Sequence, residues 1–536
     1  MNLTQFITNR TQARRVGIFV QDIAPSRVIR ARGRKKVLIV GHFPWGPTGE
    51  VWDVTSEAAF LDRHYPVGYF GSGSSTDADT AYAEVYGLLS PGISKVYNIA
   101  GSSGVKASFT FVDDDGSPEN SLVVRARYNG YIGNTIRASV SANVADSTKR
   151  DVRVYITANT GAITYDVTYY AVQNANGTVN TVSPVNTTTG AAESLVMVDI
   201  TAASGANEAA AVLAGQALTS GAVDTYTAAD FNAGVIKALE SDSDIGIVVC
   251  VGVADSLAAA LNELIQTAAD ASGSHGVVFL AAERAGRTKA EHLSDALLCR
   301  AERVRYVGPH VIRTITYNHR GFSLATTDTC SGRVVWAMMR TATEYHRATM
   351  QGGTPSGFAG SISSLEATWT GAFSDFNDFA EAGVIGWIKD DNGIYVPFDD
   401  VANYLGDGIP AAGERIIHQD YYDSAFNGFL ATFLGSGKVD VQLPSESLPG
   451  ALGDHTGGVV AKMRGFLDAE RGRGILQRQP DPTTGVLDDG YIVDGITDNE
   501  SADVGAGRWA TRWAARATPN ARSIIVNRRL DNTITF

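Results

Sequence analysis

The run Ile245–Val251 (IGIVVCV) constrains the fold most, because it holds seven consecutive residues without a charged or amide side chain. A strand with no polar alternation must be covered on both faces, which is typical of parallel sheets in α/β proteins. Apolar runs recur at Val277–Ala281 and Val304–Val307, and helical patterns that open at Asp255 and at the capping box of Thr288 separate the three. This order predicts a parallel sheet with helices on both faces.

Residues 105–205 follow a different period. Their apolar and polar side chains alternate, and Asp-Gly or Asn-Gly pairs end several of the runs. Alternation with a period of two, punctuated by such turns, predicts an all-β sandwich or barrel-like domain inserted into the α/β chain. The predicted strands are Phe109–Val112, Leu122–Tyr128, Thr135–Val140, Val152–Thr157, Tyr165–Val172 and Leu195–Ile200.

The first 36 residues predict an extended arm. Val16–Gln21 (VGIFVQ) is β-prone, but it carries too little apolar surface to bury itself. The linker that follows leaves three interpretations open: a solvated spacer, self-association with an acidic neighbour, or nucleic-acid binding. The last is disfavoured because no aromatic residues are interleaved and the whole chain is acidic. The basic linker residues are Arg27, Arg30, Arg32, Arg34, Lys35 and Lys36.

Charge is distributed unevenly along the 536 residues, whose net charge is -13. Residues 1–36 hold nine basic residues and one acid, and residues 508–536 hold six arginines and one acid. The body between them is therefore strongly acidic. Basic ends on an acidic body predict a molecule that is complementary to copies of itself, since such charge steers and registers association.

Two further regions are predicted in outline. Residues 37–104 indicate a small α/β module with strands at Val37–Gly41, Val51–Thr55 and Lys95–Ala100 and a helix capped by Ser56. Residues 311–440 have no clear period beyond a helix and a hairpin, and residues 455–536 include a long helical pattern. The elements predicted there are helices Arg333–Tyr345 and Gly458–Arg471, the hairpin of Val384–Ile388 with Ile394–Val396, and β runs at Tyr491–Thr497 and Ser523–Leu530.

Catalytic motifs are missing from the sequence. Gly435-Ser436-Gly437-Lys438 lacks the upstream glycine of a P-loop and is followed by Val439, and no GxGxxG follows the apolar strands. The acidic turn at Asp113 lacks the glutamate that a calcium loop requires, and no HExxH or GxSxG occurs. We therefore expect a protein that is not an enzyme and that holds no cofactor and no metal.

The remaining polar candidates favour ordinary structural roles. Cys250, Cys299 and Cys330 have no CxxC spacing, which favours reduced thiols, with a disulfide between subunits left open. His292 and His346 on predicted helices are typical of surface or hydrogen-bonded histidines. Residues 1–15 lack the apolar core of a signal peptide, and no run of 18 apolar residues predicts a membrane span.

Three stretches together resemble the contractile phage tail sheath family, which also occurs in pyocin-like injection particles. The first is the opening module, with its arm strand, the apolar strand Val37–Gly41, the turn Pro44–Glu50 and a helix start at Thr55-Ser56. The second is Tyr226–Phe231, leading into a helix and the strand Ile245–Val251. The third is an apolar helix, then Gly472-Arg473-Gly474, then a terminal β run.

The resemblance implies a structural subunit that polymerises as a helical tube of hexameric rings around an inner tail tube and contracts to drive that tube through the host envelope during genome delivery. It implies the chain itself, the inner tail tube protein, and baseplate and tail terminator proteins as partners, with no direct nucleic-acid contact and no stable membrane insertion. The implied location is the virion tail, assembled in the host bacterial cytoplasm.

The resemblance also implies that terminal arms add strands to sheets of neighbouring subunits. The chain then divides into the arm and linker 1–36, the α/β module 37–104, an outward-facing β insertion 105–206, the α/β sheath domain 207–440 and the C-terminal domain 441–536. Gly17–Gln21 could instead be an edge strand of its own subunit. The predicted arm strands are Gly17, Ile18, Phe19, Val20, Gln21, Ser523, Ile524, Ile525 and Val526.

Other functions remain open. The chain could belong to a contractile injection particle other than a phage, which sequence alone does not separate from a phage tail. An α/β ligand-binding protein or enzyme with a β-sandwich appendage would need a pocket with converging polar groups, and no motif indicates one. A capsid protein or surface adhesin is suggested only by the β insertion.

Overall fold

The computed structural model describes most of the chain between residues 36 and 516. The described ranges are 36–66, 84–85, 87–89, 91–113, 115, 119–157, 163–242, 244–270, 277–320, 322–330, 332–342, 362–366, 378–379, 382–389, 395–397, 401–406, 409–412, 421–422, 425–426, 429–430, 456–474, 476–480, 483–495 and 511–516. The described residues form two compact units, the larger within residues 36–412 and the smaller within residues 421–516.

Strands outnumber helices in the described residues. The helices are α1 Glu57–His64, α2 Ala228–Ser241, α3 Asp255–Asp270, α4 Lys289–Ala296, α5 Gly332–Ala342 and α6 Thr456–Gly472, with 3₁₀ turns at Tyr131–Thr135 and Leu297–Cys299. The first strands are β1 Lys36–Gly41, β2 Val51–Asp53, β3 Ser94–Asn98, β4 Ser108–Val112, β5 Asn120–Ala126, β6 Ile136–Ala142, β7 Arg150–Thr157, β8 Ile163–Gln173, β9 Val185–Asn186, β10 Val198–Ala202, β11 Leu213–Ala217 and β12 Ile245–Val251. The others are β13 Val278–Leu280, β14 Val304–Val307, β15 Val311–His319, β16 Phe322–Cys330, β17 Ile362–Leu365, β18 Val384–Ile385, β19 Trp387–Lys389, β20 Tyr395–Pro397, β21 Val401–Gly406, β22 Ile409–Ala412, β23 Tyr491–Asp494 and β24 Arg512–Ala515.

A seven-stranded sheet in the order β18-β14-β13-β12-β1-β3-β2 forms the centre of the larger unit. All neighbours in it are parallel except β2, which pairs antiparallel with β3. Alternate residues of β1 belong to two different apolar clusters, Val37 and Ile39 to one, Leu38 and Val40 to the other. Helices cover both faces of this sheet, and the mixed α/β class predicted from the sequence is confirmed.

Each face of the sheet has its own helices. Phe60 of α1 and Trp336 of α5 pack on the face of Val37, and both are fully buried. Phe231 of α2 and Leu261 of α3 pack on the face of Leu38. Strands buried on both faces explain the unbroken apolar runs of the sequence, because neither side of such a strand meets water.

The residues between β3 and α2 form two antiparallel sheets, which we call the β region (residues 105–222). One sheet has the order β10-β5-β4 and the other β11-β6-β7-β8-β9. Inward-facing residues such as Leu122, Val124, Val152 and Val154 are fully buried in one shared core. This alternation explains the period of two in the sequence, since successive strand residues face opposite sides.

Some strand ends differ from the expectation. The strand predicted over Val51–Thr55 ends at Asp53, because Ser56 begins α1 and its side chain accepts a hydrogen bond from the Ala59 amide at 3.0 Å. β pairing continues past residue 206, since β11 pairs with β6. The β11 sequence (LAGQA) has no apolar alternation, so its pairing partner decides its structure.

Residues 311–412 add smaller sheets. β15 pairs along its whole length with β16, and its first residues also pair with β17. The sequence period did not indicate either pairing. The predicted hairpin around residue 392 is present as β19 paired with β20, while β18 pairs with β14 in the large sheet. β21 pairs with β22.

The described part of the smaller unit contains α6 and the two-stranded sheet of β23 and β24. α6 matches the predicted long helix and buries Met463 and Leu467. Tyr422 and Phe426 pack against the same core, and both rings lie against Trp513 of β24. The sheet therefore rests on an aromatic layer.

Candidate functional site

Most predicted interaction residues lie outside the described residues. This holds for the arm strands Gly17–Gln21 and Ser523–Val526 and for the linker residues Arg27, Arg30, Arg32, Arg34 and Lys35. His346, expected to be a surface or hydrogen-bonded histidine, also lies outside the described residues. Lys36 is the exception, because it is the first residue of β1. The positions where the arms join the described body can therefore be examined.

The N-terminal junction is an ion-pair cluster at the start of β1. Lys36 Nζ lies 2.8 Å from Asp242 Oδ2, and Lys95 Nζ lies 3.1 Å from the same oxygen and 2.7 Å from Asp53 Oδ1. Burial raises the pKa of Asp242, but hydrogen bonds from Lys36, Asp244 and Lys95 outweigh it and bring the pKa to about 2. Lys36, the last residue of the basic linker, is thus held in place by the carboxylate of Asp242.

The C-terminal junction is the two-stranded sheet of the smaller unit. Asp488 accepts a 2.9 Å hydrogen bond from Arg516, and Arg516 also donates its amide to the Gly490 carbonyl at 2.8 Å. Val493 is buried against α6, whereas Ile492, one residue earlier in β23, is 68% exposed. Among the described residues no third strand pairs with this sheet. Ile492 is therefore an exposed apolar side chain of this sheet.

The β region joins the α/β sheet through a neck of two antiparallel segments. Ser102 and Thr225 exchange two backbone hydrogen bonds of 2.9 and 2.8 Å, and Val105 and Ala222 exchange two of 3.0 Å. Two chain segments that pair in this way restrict bending more than a single linker does.

Trp45 strengthens this junction. It belongs to the loop between β1 and β2, yet its side chain is 1% exposed and packs in the core of the β region, edge-on to Tyr128 at 5.3 Å. The carbonyl of Trp45 accepts a 3.0 Å hydrogen bond from His64 Nδ1, and burial lowers the pKa of His64 to about 3. A neutral imidazole therefore fixes the loop that carries the indole.

A cavity of about 300 Å³ lies beside the neck. Its wall includes Lys106, Arg127, Asn98, Asn129 and Asp224. The amides are already engaged, since Asn98 Oδ1 accepts the Phe43 amide at 3.0 Å and Asn129 donates to Asp224 at 3.2 Å. These contacts hold the walls of the neck together.

The other sequence candidates have structural surroundings. Cys250 and Cys299 are buried, and the Cys299 thiol donates to the Ala296 carbonyl at 3.6 Å. Burial raises the pKa of the Cys250 thiol to about 12. His292 is buried, with Nδ1 3.1 Å from the Tyr306 hydroxyl, and burial lowers its pKa to about 4. In the described part of the chain no group of three His, Cys, Asp or Glu side chains is placed to hold a metal ion, and no helix is long and apolar enough to cross a membrane.

Two charged clusters were not foreseen from the sequence. One is buried and joins Arg333, Glu283 and Glu84. The other joins Arg320 to Asp62 and Glu193. Their members are far apart in the chain, so no spacing signals them. The burial of Trp45 in the β region has one weak signal in the sequence, which is that a large aromatic residue lies between two prolines in a turn.

Neither a protein-family profile nor a curated protein matches this sequence, but solved structures do. The sheath tail protein from Desulfitobacterium hafniense overlays with a TM-score of 0.54 and 13% identity, covering 93% of this chain and 100% of that chain. The sheath tail protein from Listeria innocua gives a TM-score of 0.46 at 15% identity over 92% and 96% of the two chains. The contracted helical sheath of the anti-feeding prophage gives 0.49 at 10% identity over 96% and 99%.

The Desulfitobacterium hafniense structure has the highest of these three TM-scores, and the overlay spans nearly the whole of both chains. At 13% identity such a likeness concerns the course of the backbone and not the individual side chains. The chain therefore has the fold of a tail sheath protein, and the resemblance to the contractile tail sheath family is confirmed at the level of the fold.

Proposed function

We propose that this chain is the structural subunit of a contractile tail sheath, which polymerises as a helical tube of hexameric rings around an inner tail tube. Contraction of that tube would drive the inner tube through the host envelope during genome delivery. The observation that carries the proposal is the overlay with a sheath tail protein over 93% of this chain. The protein is then a polymer subunit and not an enzyme.

The C-terminal sheet supports a way to polymerise. A two-stranded sheet is marginally stable by itself, and added strands stabilise it through main-chain hydrogen bonds. Within the described residues β23 and β24 form such a sheet, and Ile492 is exposed on the face opposite α6. We propose that an arm strand of a neighbouring copy, Gly17–Gln21 or Ser523–Val526, adds to this sheet.

Charge supports the same arrangement. The arms are basic and the body between them is acidic, so an arm is attracted to a neighbouring body and repelled by another arm. A contact between two different surfaces that does not close on itself generates an open helix. Lys36 is held by Asp242, so a pull on the arm would be transmitted directly to the central sheet.

The proposal includes further partners and a place. The inner tail tube, baseplate and tail terminator proteins would contact the polymer in the virion tail after assembly in the bacterial cytoplasm, and we propose that the β region faces outward. A contractile injection particle other than a phage is the second candidate.

Electron microscopy of the purified chain tests the proposal. Four proteins are compared at one high concentration: the full chain, a variant lacking residues 1–22, Phe19→Pro, and Phe19→Leu as its matched control. Proline removes a main-chain donor that strand addition needs, whereas leucine keeps it. Striated tubes from the full chain and the leucine control, and none from the other two, would support the sheath and the arm.

The other outcomes separate the two parts of the proposal. Tubes from all four proteins would keep the sheath function and remove the assignment of the arm strand. Small closed oligomers from all four, measured by size-exclusion chromatography with light scattering, would contradict the sheath function and favour a ligand-binding protein or enzyme.

A further inference from the structure

Arg320 connects three parts of the larger unit that are distant in sequence. It follows β15 directly, and its φ of +50° lies in the left-handed region that non-glycine residues rarely adopt. Its Nε donates to Asp62 Oδ1 of α1 at 2.7 Å, and its Nη1 and Nη2 donate to the Glu193 carboxylate at 3.1 and 3.3 Å. One guanidinium therefore bridges the α/β core and the β region.

The core side of this bridge is well defined. Asp62 lies in α1, whose first turn is capped by Ser56. His319 Nε2 lies 2.8 Å from the same Asp62 oxygen that Arg320 contacts. The hairpin of β15 and β16 and the helix α1 are thus joined at one carboxylate.

The β-region side is also fixed. Glu193 Oε1 accepts the Leu195 amide at 3.0 Å, and the Glu193 amide donates to the Pro184 carbonyl at 3.0 Å. The Leu195 carbonyl accepts a 2.7 Å hydrogen bond from the hydroxyl of Tyr165, which lies in β8. The Glu193 side chain is 13% exposed. Arg320 therefore binds a carboxylate that the sheet of the β region already holds in place.

The Arg320 guanidinium contacts both oxygens of the Glu193 carboxylate, so their pairing depends on orientation as well as on charge. A guanidinium that meets both oxygens of a carboxylate fixes their relative orientation, which a lysine ammonium cannot do. The neck and the Trp45 side chain join the β region to the core elsewhere, so this contact is an additional attachment and restrains rotation about the neck.

We propose that Arg320 is a clamp that locks the β region onto the α/β core, so that the two move as one body. This goes beyond the sheath function and does not depend on it. If the chain is a sheath subunit, a rotation of the core during contraction carries the β region with it, and contacts between β regions of neighbouring copies must then rearrange.

Hydrogen–deuterium exchange followed by mass spectrometry on the full chain tests the clamp. In Arg320→Gln we expect the neck amides of Val105 and Ala222 to exchange about tenfold faster, because the β region can then rock about the neck. Arg153→Gln is the matched control, since Arg153 forms an equally bidentate pair with Asp166 inside the β region at 2.8 and 2.6 Å. The control should leave neck exchange unchanged.

Glu193→Gln and the double variant complete the experiment. Either single change opens the clamp, so the double variant should exchange at the neck no faster than Arg320→Gln. Equal acceleration throughout the chain, including β12, would mean general destabilisation and would overturn the proposal. Unchanged neck exchange, with faster exchange only around residues 62 and 193, would overturn it too.

Discussion

The guanidinium of Arg333 is buried in the larger unit, with its Nη1 2.5 Å from Oε2 of Glu283, and the two side chains are 2% and 0% exposed. Nε of Arg333 also donates to the Cys250 carbonyl at 3.1 Å. Glu84 lies 3.7 Å from the guanidinium, and its other oxygen accepts the Gly252 amide at 2.7 Å. The cluster therefore joins α5 and the loop after β13 to the end of β12.

Glu283→Gln should destabilise the chain strongly. It removes the negative charge that faces Arg333 and leaves a buried cation with less compensation, and breaking such a pair costs about 3–5 kcal/mol. The free energy of unfolding in urea measures this. Arg153→Gln removes a partly exposed pair and should cost about 0.5 kcal/mol. Equal losses in the two variants would contradict the importance of the buried pair.

Trp45→Ala should weaken the attachment of the β region. The change removes a buried indole from the core of that region, and such truncations cost about 3–5 kcal/mol. Urea unfolding followed by circular dichroism measures the loss. Trp52→Ala, at a half-buried tryptophan of β2, is the control and should cost about 1 kcal/mol. A smaller loss in Trp45→Ala than in the control would contradict the role of the indole.

Ile492→Glu should block assembly without unfolding the subunit. Ile492 is 68% exposed, so a charge there should change the free energy of unfolding by no more than about 0.5 kcal/mol. The same charge would lie beside a strand added to β23. Sedimentation of assembled material measures the effect, and Val144→Glu, at a fully exposed residue of the β region, is the control. Tubes from both variants would remove the sheet of β23 and β24 from the assembly contact.

Asp242→Asn should change how stability depends on pH. The pKa of Asp242 is about 2 in the folded chain, below the value of about 3.9 for an unfolded aspartate. The carboxylate therefore stabilises the fold fully above about pH 4, and this contribution is lost as the pH falls towards 2. At pH 7 the variant should be less stable by about 2 kcal/mol.

Thermal unfolding between pH 2 and 7 checks this prediction. The wild type should lose more stability than Asp242→Asn between pH 4 and 2, so that the two curves converge at low pH. Parallel curves would show that the contacts of Asp242 with Lys36 and Lys95 do not depend on its charge.

Local sequence pattern predicted a large part of the architecture. The unbroken apolar run Ile245–Val251 indicated a parallel strand buried on both faces, and β12 has those bounds. Ser56 and Thr288 indicated helix starts, and both cap helices in the structure. These signals are local, because burial period and end capping involve residues only a few positions apart.

Strand partners were harder to predict. β11 has no apolar alternation and is a strand because β6 lies beside it. β15 and β16 form a long hairpin in a region where no period was clear. In such segments the partner strand supplies the hydrogen bonds, and a single sequence does not reveal the partner.

Local patterns along the chain indicated the α/β class, the β region with its period of two, and the uneven charge that suggests self-association. Long-range packing places Trp45 in the core of the β region, Arg320 against Asp62 and Glu193, and Arg333 against Glu283. No local pattern indicates these three contacts, because their residues are far apart along the chain. Each of these contacts joins residues at least 50 positions apart, and no spacing in the sequence records which distant side chains the fold brings together.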